Sequence, residues 1–179
     1  MRSRLGTTLL AVCTLPLTVV VAQAQNPVSN GIRAVAQRQT KNIVDAAEEM
    51  PADKYGYKPT PAQMTYGDVV AHLIKEGNNY LCSAASGIKQ PDADKFTGAD
   101  PKDKLVAGLK ASFKFCETVL GQIQDAQLGD SIDFFGGRKV TKAMAGLITV
   151  ADWADHYSQM AIYLRLNGLL PPTAKKGMD

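Results

Sequence analysis

Apolar residues recur at helical spacing in four long segments of this chain, and polar stretches rich in proline and glycine separate them. Such spacing predicts amphipathic helices that each bury one face. The predicted helices run from about Ser29 to Met50, from an N-cap at Thr65 to about Ser86, from Asp100-Pro101 to about Ala126, and from an N-cap at Thr141 to about Asn167. The pattern therefore predicts an all-α fold, a four-helix bundle.

The segment before the last predicted helix has a different pattern. Gly136-Gly137 lies between two short pieces that favour extended structure, within residues 131–140. These residues predict either a small hairpin or an ordered loop.

The connection between the second and third predicted helices carries information about topology. About thirteen residues can span roughly 43 Å when extended, whereas a helix of about 22 residues is only about 33 Å long. The connection can therefore cross the length of the bundle and leave these two helices parallel. Cys82 and Cys116 would then lie at similar depths, so a disulfide between them would favour this crossover if the two helices are neighbours.

The first residues of the chain are typical of an export signal. Arg2 and Arg4 precede an apolar run from Leu9 to Val21, and Ala22-Gln23-Ala24 fits a cleavage site with small residues. We expect cleavage between Ala24 and Gln25, which predicts a periplasmic or secreted protein. An uncleaved membrane anchor is the alternative.

Cleavage would change the charge of the chain. Lys and Arg fall from 20 to 18 when residues 1–24 are removed, while Asp and Glu stay at 17, so the formal charge drops from +3 to +1. This balance gives no clustered basic face for nucleic acid. The remaining residues 25–179 suit one domain, with no stable membrane insertion after cleavage.

Three cysteines occur, and Cys13 would be lost with the signal. Cys82 and Cys116 then form an even pair in an oxidising compartment, where a disulfide is permitted. Two buried free thiols are the alternative.

The two histidines of the chain are the strongest indication of chemistry. His156 follows Asp152 by four residues, so both side chains can lie on one helix face. His72 lies in the second predicted helix. Two imidazoles and one carboxylate predict a site for a divalent transition metal, namely zinc, nickel, manganese or iron. A pair of structural histidines in the core is the alternative.

Two neighbouring polar residues are candidates for a supporting or pocket-lining role. Asp155 could accept a hydrogen bond from a ligating histidine, although a solvated charge is the plainer interpretation. Gln159 follows His156 by one turn and could bind a water at the site or make a polar contact between helices. No Gly-x-Ser-x-Gly elbow or phosphate-binding loop motif is present in the sequence.

Three pieces of the chain resemble the DinB-like (damage-inducible) family, which includes thiol-dependent transferases and the predicted hydrolase YfiT. The pieces are Tyr57-Lys-Pro-Thr-Pro61, Asp68-Val-Val-Ala-His-Leu73 and the segment from His156 to Gly168. The resemblance spans roughly residues 28–172. It implies an up-down-down-up bundle with a metal held by three histidines, one on the second helix and two at i, i+4 spacing on the fourth.

His72 and His156 match two of these histidines, whereas Asp152 stands where the family usually has the third. Asp155 also stands where many members have another histidine. A carboxylate can bind such metals, and the alternative is a site that has lost its metal. The resemblance thus implies a metal-dependent hydrolase or thiol transferase acting on a small molecule. The other expectation is a non-catalytic stress or ligand-binding bundle. Bundles of this kind are often homodimers.

Overall fold

The computed structural model describes residues 25–89, 91 and 95–175. The predicted signal peptide and cleavage site lie outside the described residues, apart from Gln25. Six α-helices and one π-helical segment account for most of the described chain. Their bounds are α1 Pro27–Glu49, α2 Tyr66–His72, the π segment Leu73–Tyr80, α3 Leu81–Ser86, α4 Lys102–Leu120, α5 Lys142–Leu166 and α6 Pro172–Lys175.

The second predicted helix is one continuous rod, residues 66–86, whose middle is π-helical. The backbone stays right-handed helical at both junctions, at Leu73 (φ −56°, ψ −41°) and at Leu81 (φ −63°, ψ −43°). At its start, Thr65 Oγ1 accepts from Asp68 N at 3.0 Å and Asp68 Oδ2 accepts from Thr65 N at 3.2 Å. This reciprocal capping box explains why the helix begins where the sequence predicts.

The third predicted helix is shorter than expected. It begins at Lys102, with Pro101 rather than Asp100 as the N-cap, and it ends at Leu120 instead of Ala126. The Arg33 guanidinium, from α1, donates to the carbonyl oxygens of Leu120 at 3.2 Å and of Ile123 at 2.9 Å. A distant cation therefore satisfies carbonyls that a longer helix would bond internally.

The segment before α5 is a small hairpin, the first of the two alternatives that the sequence predicts, and the rest of the fold is mostly helical. Strands β1 (Ser131–Asp133) and β2 (Lys139–Thr141) pair antiparallel, with Ile132 opposite Val140. Gly136 and Gly137 form the turn with φ of 67° and 72°, a region that favours glycine. Thr141 then caps α5 by accepting from the backbone N–H of Met144 at 3.2 Å.

The rod packs between α4 and α5, with different directions on its two sides. Asn78 bonds Ser112, and Cys82 is joined to Cys116, both at a sequence separation of 34, so the rod and α4 run the same way. The rod and α5 run in opposite directions: Trp153 Nε1 donates a hydrogen bond to the Gly77 carbonyl oxygen, and the Tyr163 hydroxyl donates one to the Met64 carbonyl oxygen. The rod therefore takes part in two helix interfaces, one with α4 and one with α5.

The core fills the space between α1, the rod, α4 and α5. Its largest fully buried side chains are Trp153, Tyr66, Ile43, Met50, Leu73, Ile74, Leu105, Leu109, Met160, Leu164, Val69 and Val70. Burial of this apolar surface is the main stabilising contribution to the fold. Among the helices of residues 25–89 and 95–175, none combines the length and the apolar character needed to cross a membrane.

Candidate metal centre

The structure brings His72, Asp152 and His156 together. His72 is the last residue of α2, immediately before the π segment, and the other two lie one turn apart on α5. One potential donor atom from each lies within 4.8 Å of the others. The His72 and His156 rings are stacked, with centroids 4.8 Å apart and an interplanar angle of 25°. Two helices thus supply two imidazoles and one carboxylate to a single spot.

His156 is fixed by its own helix. Its Nδ1 lies 2.8 Å from the carbonyl oxygen of Asp152, and the side chain is 10% exposed. Because a carbonyl oxygen only accepts, Nδ1 must carry the proton and donate it. The Nε2 lone pair of His156 is then the one available to a metal.

Asp152 is the least satisfied residue of the three. Its Oδ2 is buried and has no hydrogen-bond partner among the described residues. His156 Nδ1 lies 3.6 Å from this oxygen, within ion-pair range but beyond a good hydrogen bond. Burial raises the pKa of the Asp152 carboxyl, and the charges of Asp155 and Glu76 raise it further, while His156 and His72 act in the opposite direction. A cation at this spot would relieve the unpaired oxygen.

Gly77 leaves the space that the Asp152 carboxylate occupies. A Cβ on Gly77 would lie 3.0 Å from Asp152 Oδ2 and 3.2 Å from Leu73 Cδ2. The Gly77 carbonyl oxygen accepts a hydrogen bond from the indole Nε1 of Trp153 at 2.8 Å. The π segment therefore approaches α5 closely at the site. Single π-helical turns inside α-helices are frequent at functional sites.

Asp155 and Gln159 lie beside the three residues rather than among them. Asp155 is exposed and Gln159 is half-buried, and Gln159 Nε2 donates to Asp155 Oδ2 at 3.4 Å. Asp155 acts on the centre through its charge, which raises the pKa of Asp152. A direct contact with a ligating histidine stays a prediction for Asp155, as does water binding for Gln159.

Glu76 and Gly77 are site residues that the sequence interpretation missed. Glu76 Oε2 lies 3.6 Å from His72 Nδ1. The i, i+4 spacing from His72 to Glu76 is the same signal that singled out Asp152 and His156, so the sequence contained this indication. Gly77 has no such signal, because its importance depends on how closely the rod approaches α5.

Cys82 and Cys116 form a disulfide that joins the rod to α4, with their Cα atoms 5.3 Å apart. Both cysteines are almost fully buried. The bridge joins α3 to α4, whereas the three candidate ligands lie on α2 and α5. The disulfide is thus a covalent link between the rod and α4.

The fold and the site together define a helical protein with a candidate His-Asp-His metal centre. Residues 36–160 match the DinB superfamily. The chain belongs to this superfamily, as the resemblance predicted.

Similar proteins agree with this family. The chain is 26% identical over 128 residues to the uncharacterized protein YjoA of Bacillus subtilis (strain 168), covering 69% of this chain and 80% of that protein. A DinB-like protein from Bacillus cereus ATCC 10987 has a similar structure, with a TM-score of 0.66, 18% identity, and coverage of 80% of this chain and 95% of that chain. The H52A mutant of a mycothiol-dependent maleylpyruvate isomerase gives a TM-score of 0.61 at 11% identity, covering 74% and 60%. At such identities the structural likeness shows the fold alone.

Proposed function

We propose that this protein binds one divalent transition metal ion through His72, Asp152 and His156. The observation that carries the proposal is the buried, unpaired Asp152 Oδ2 beside two imidazoles, with potential donor atoms within 4.8 Å of one another. A buried carboxylate oxygen without a partner is costly. A cation between the carboxylate and the two rings would offset that cost.

The donor set fits zinc, nickel, manganese or iron. Imidazole nitrogen suits zinc, nickel and iron, and a carboxylate oxygen also suits manganese. Three protein ligands leave positions open for other molecules. The side chains of His72 and Asp152 are 28% and 27% exposed, so the centre is reachable from solvent. Asp152 would therefore supply a carboxylate ligand at the position where the DinB-like family usually has a histidine.

Hydrolysis and thiol transfer are the reactions that we propose for this centre. A divalent ion lowers the pKa of a coordinated water or thiol and so makes a nucleophile available near neutral pH. His72, Asp152 and His156 would hold the ion, and the partial exposure of His72 and Asp152 would let a small substrate reach it. A mycothiol-dependent isomerase has a similar fold, which makes a small thiol a reasonable molecule to test at this centre.

Binding of a small ligand without catalysis is the second candidate function. An open groove of about 370 Å³ lies between α1 and α4, with Val44, Phe113 and Trp153 among its apolar lining residues. Phe113 and Trp153 pack edge to face at its floor, with ring centroids 5.0 Å apart. Such an apolar groove suits a small hydrophobic molecule.

We also propose that the protein is exported and acts in the periplasm or outside the cell. The buried Cys82–Cys116 disulfide supports an oxidising compartment. The exposed apolar residues of α5, such as Leu147 and Ile162, support homodimerisation. Sequencing the N-terminus of the purified protein tests whether the signal was cleaved, and sizing chromatography tests homodimerisation.

The finer topology that we propose is up-down-down-up. Arg33, near the start of α1, contacts the end of α4 at Leu120, while Lys102, at the start of α4, bonds the carbonyl oxygen of Glu48 near the end of α1. This contact order indicates that α1 and α4 run in opposite directions. Together with the directions of the rod and α5, it supports the long crossover between the second and third helices.

Metal analysis of matched variants tests the proposed function. We expect near-stoichiometric metal in the purified protein, and loss of most of it in His72→Ala, Asp152→Ala and His156→Ala with the helical circular dichroism unchanged. Asp53→Ala, which removes a carboxylate that is 73% exposed and pairs with Lys54, is the control and keeps its metal. A protein that takes up no zinc, nickel, manganese or iron would contradict the proposal and turn attention to the apolar groove.

A further inference from the structure

The two imidazoles of the centre use the same ring atom to contact their own helix. His156 Nδ1 lies 2.8 Å from the Asp152 carbonyl oxygen on α5. His72 Nδ1 lies 3.6 Å from Glu76 Oε2, one turn further along the rod. One contact is made by the backbone, and the other by a carboxylate side chain.

This orientation decides which nitrogen can bind a metal. A neutral imidazole carries one proton, and the protonated nitrogen cannot serve as a ligand. The hydrogen bond made by one nitrogen sets the tautomer and leaves the lone pair on the other. For His156 the carbonyl oxygen of Asp152 fixes the proton on Nδ1. For His72 no backbone acceptor within the described residues lies at hydrogen-bond distance from Nδ1, and Glu76 is the group that faces this nitrogen.

We propose that Glu76 is a positioning residue that holds His72 with its proton on Nδ1 and its Nε2 directed at the site shared with Asp152 and His156. The inference rests on the proposed metal centre. Ligating histidines commonly donate their second N–H to a carboxylate, which fixes the ring and strengthens it as a ligand. Glu76 provides that carboxylate from within the chain.

The position of Glu76 suits this role better than that of a direct ligand. Its carboxylate is not among the donors that lie within 4.8 Å of one another. The side chain is 59% exposed, so rotation about its torsions can shorten the 3.6 Å separation to a hydrogen bond when a metal draws on His72. The π-helical turn keeps Glu76 on the same side of the rod as His72.

A merely structural ion pair would have a different consequence. An exposed pair at i, i+4 spacing stabilises a helix only slightly and would leave the ring tautomer unaffected. Glu117 provides the matched control, because its side chain is 58% exposed and it pairs with Lys114 on α4, away from the centre. Replacing Glu117 changes an equally exposed carboxylate without touching His72.

Long-range ¹H–¹⁵N correlation spectra of the imidazoles in the metal-free protein test the inference. The chain has only two histidines, so both rings can be assigned by single substitutions. At a pH where both rings are neutral, we expect Nδ1–H for His72 and His156. Glu76→Ala should shift His72 alone toward Nε2–H, Glu76→Gln should largely restore Nδ1–H because the amide oxygen accepts, and Glu117→Gln should change neither ring.

Cobalt(II) titration adds a second readout. We expect Glu76→Ala to weaken cobalt binding about tenfold, Glu76→Gln to weaken it less, and Glu117→Gln to leave it unchanged. A His72 ring that is Nε2–H in the unsubstituted protein, or one that does not respond to Glu76→Ala, would overturn the role of Glu76. Absence of cobalt binding in the unsubstituted protein would instead overturn the proposed function, since the tautomer spectra are recorded without metal.

Discussion

The two faces of the π segment differ in whether their buried polar side chains have hydrogen-bond partners. Toward α4, Asn78 Nδ2 donates to Ser112 Oγ at 2.7 Å, and the disulfide closes the same interface one turn later. Toward α5, Asp152 presents a buried carboxylate oxygen that has no hydrogen-bond partner in the described part of the chain. Asn78 Oδ1 also has no partner there, but a neutral amide is less costly to bury than a carboxylate.

This difference separates an interface joined by a disulfide and a hydrogen bond from one at which we propose that a metal binds. The α4 side is joined by a covalent bond and a side-chain hydrogen bond. The α5 side brings two imidazoles and a carboxylate together and leaves the carboxylate unpaired. Because the π segment, Leu73–Tyr80, contacts both α4 and α5, the bonds to α4 can also hold in place the side at which we propose metal binding. Substitutions on the two faces should therefore have different consequences.

The largest effect on stability is expected from removing the disulfide. Cys82→Ala/Cys116→Ala opens a loop of sequence separation 34, and the chain-entropy relation predicts a free energy of unfolding lower by about 3–4 kcal/mol. Urea denaturation measures the change. Thiol labelling of denatured protein lacking residues 1–24 is the companion measurement, and labelling of two thiols in the unsubstituted protein would show that the bridge is absent.

Ser112→Ala should have the next largest effect. It leaves the buried Asn78 Nδ2 without its acceptor, at a cost of about 1–3 kcal/mol in the free energy of unfolding. Ser158→Ala is a matched control, because Ser158 also donates to a backbone carbonyl of its own helix but is exposed. Equal denaturation midpoints for the two variants would mean that the Asn78 contact contributes nothing.

Asp152→Asn should act in the opposite direction in the metal-free protein. Burial raises the pKa of the Asp152 carboxyl above its ordinary 3.8. Between the unfolded and folded pKa values the folded state binds the extra proton, so this carboxyl lowers the free energy of unfolding as pH rises through that window. The variant should lose this component and be as stable as the unsubstituted protein, or slightly more stable, at neutral pH.

Thermal or urea unfolding at several pH values, compared between the two proteins, measures this component. Asp53→Asn, at a side chain that is 73% exposed, is the control and should follow the unsubstituted protein. A clear loss of stability at neutral pH in Asp152→Asn would show that the carboxylate is paired in the folded state.

The smallest expected effect is that of replacing Gly77, which lies beside the Asp152 carboxylate, and Gly31→Ala is the matched reference. Gly31→Ala, where the added Cβ meets no atom within 4 Å, should stabilise α1 by about 0.5–1 kcal/mol. Gly77→Ala should gain less, because its Cβ would lie 3.0 Å from Asp152 Oδ2. Metal titration of both variants separates the effects, since only Gly77→Ala should weaken binding. Equal gains in stability and unchanged affinity in both would contradict the close approach of the rod to α5.

Local sequence chemistry predicted much of the fold. Thr65 and Thr141 are helix caps in the structure as expected, because capping depends on neighbouring residues alone. The end of α4 was predicted incorrectly, at Ala126 instead of Leu120, because Arg33 reaches its carbonyls from a distant helix. The π segment was not predicted either, since its geometry depends on tertiary contacts.

The candidate site was predicted in part for a related reason. Spacing placed Asp152 and His156 on one face. His72 joined them as the other histidine of the chain in a predicted helix, and the family resemblance then matched it to a ligand position. Glu76 had a local signal that was overlooked. Gly77 could not have been found without the packing of the rod on α5, where a side chain would meet the Asp152 carboxylate.

The most direct test of the metal centre is anomalous X-ray diffraction from crystals of the protein grown with zinc, recorded above and below the zinc absorption edge. We predict one strong anomalous peak within bonding distance of His72 Nε2, His156 Nε2 and an Asp152 carboxylate oxygen. Peaks only elsewhere, or no peak beside these three residues at saturating zinc, would contradict the account.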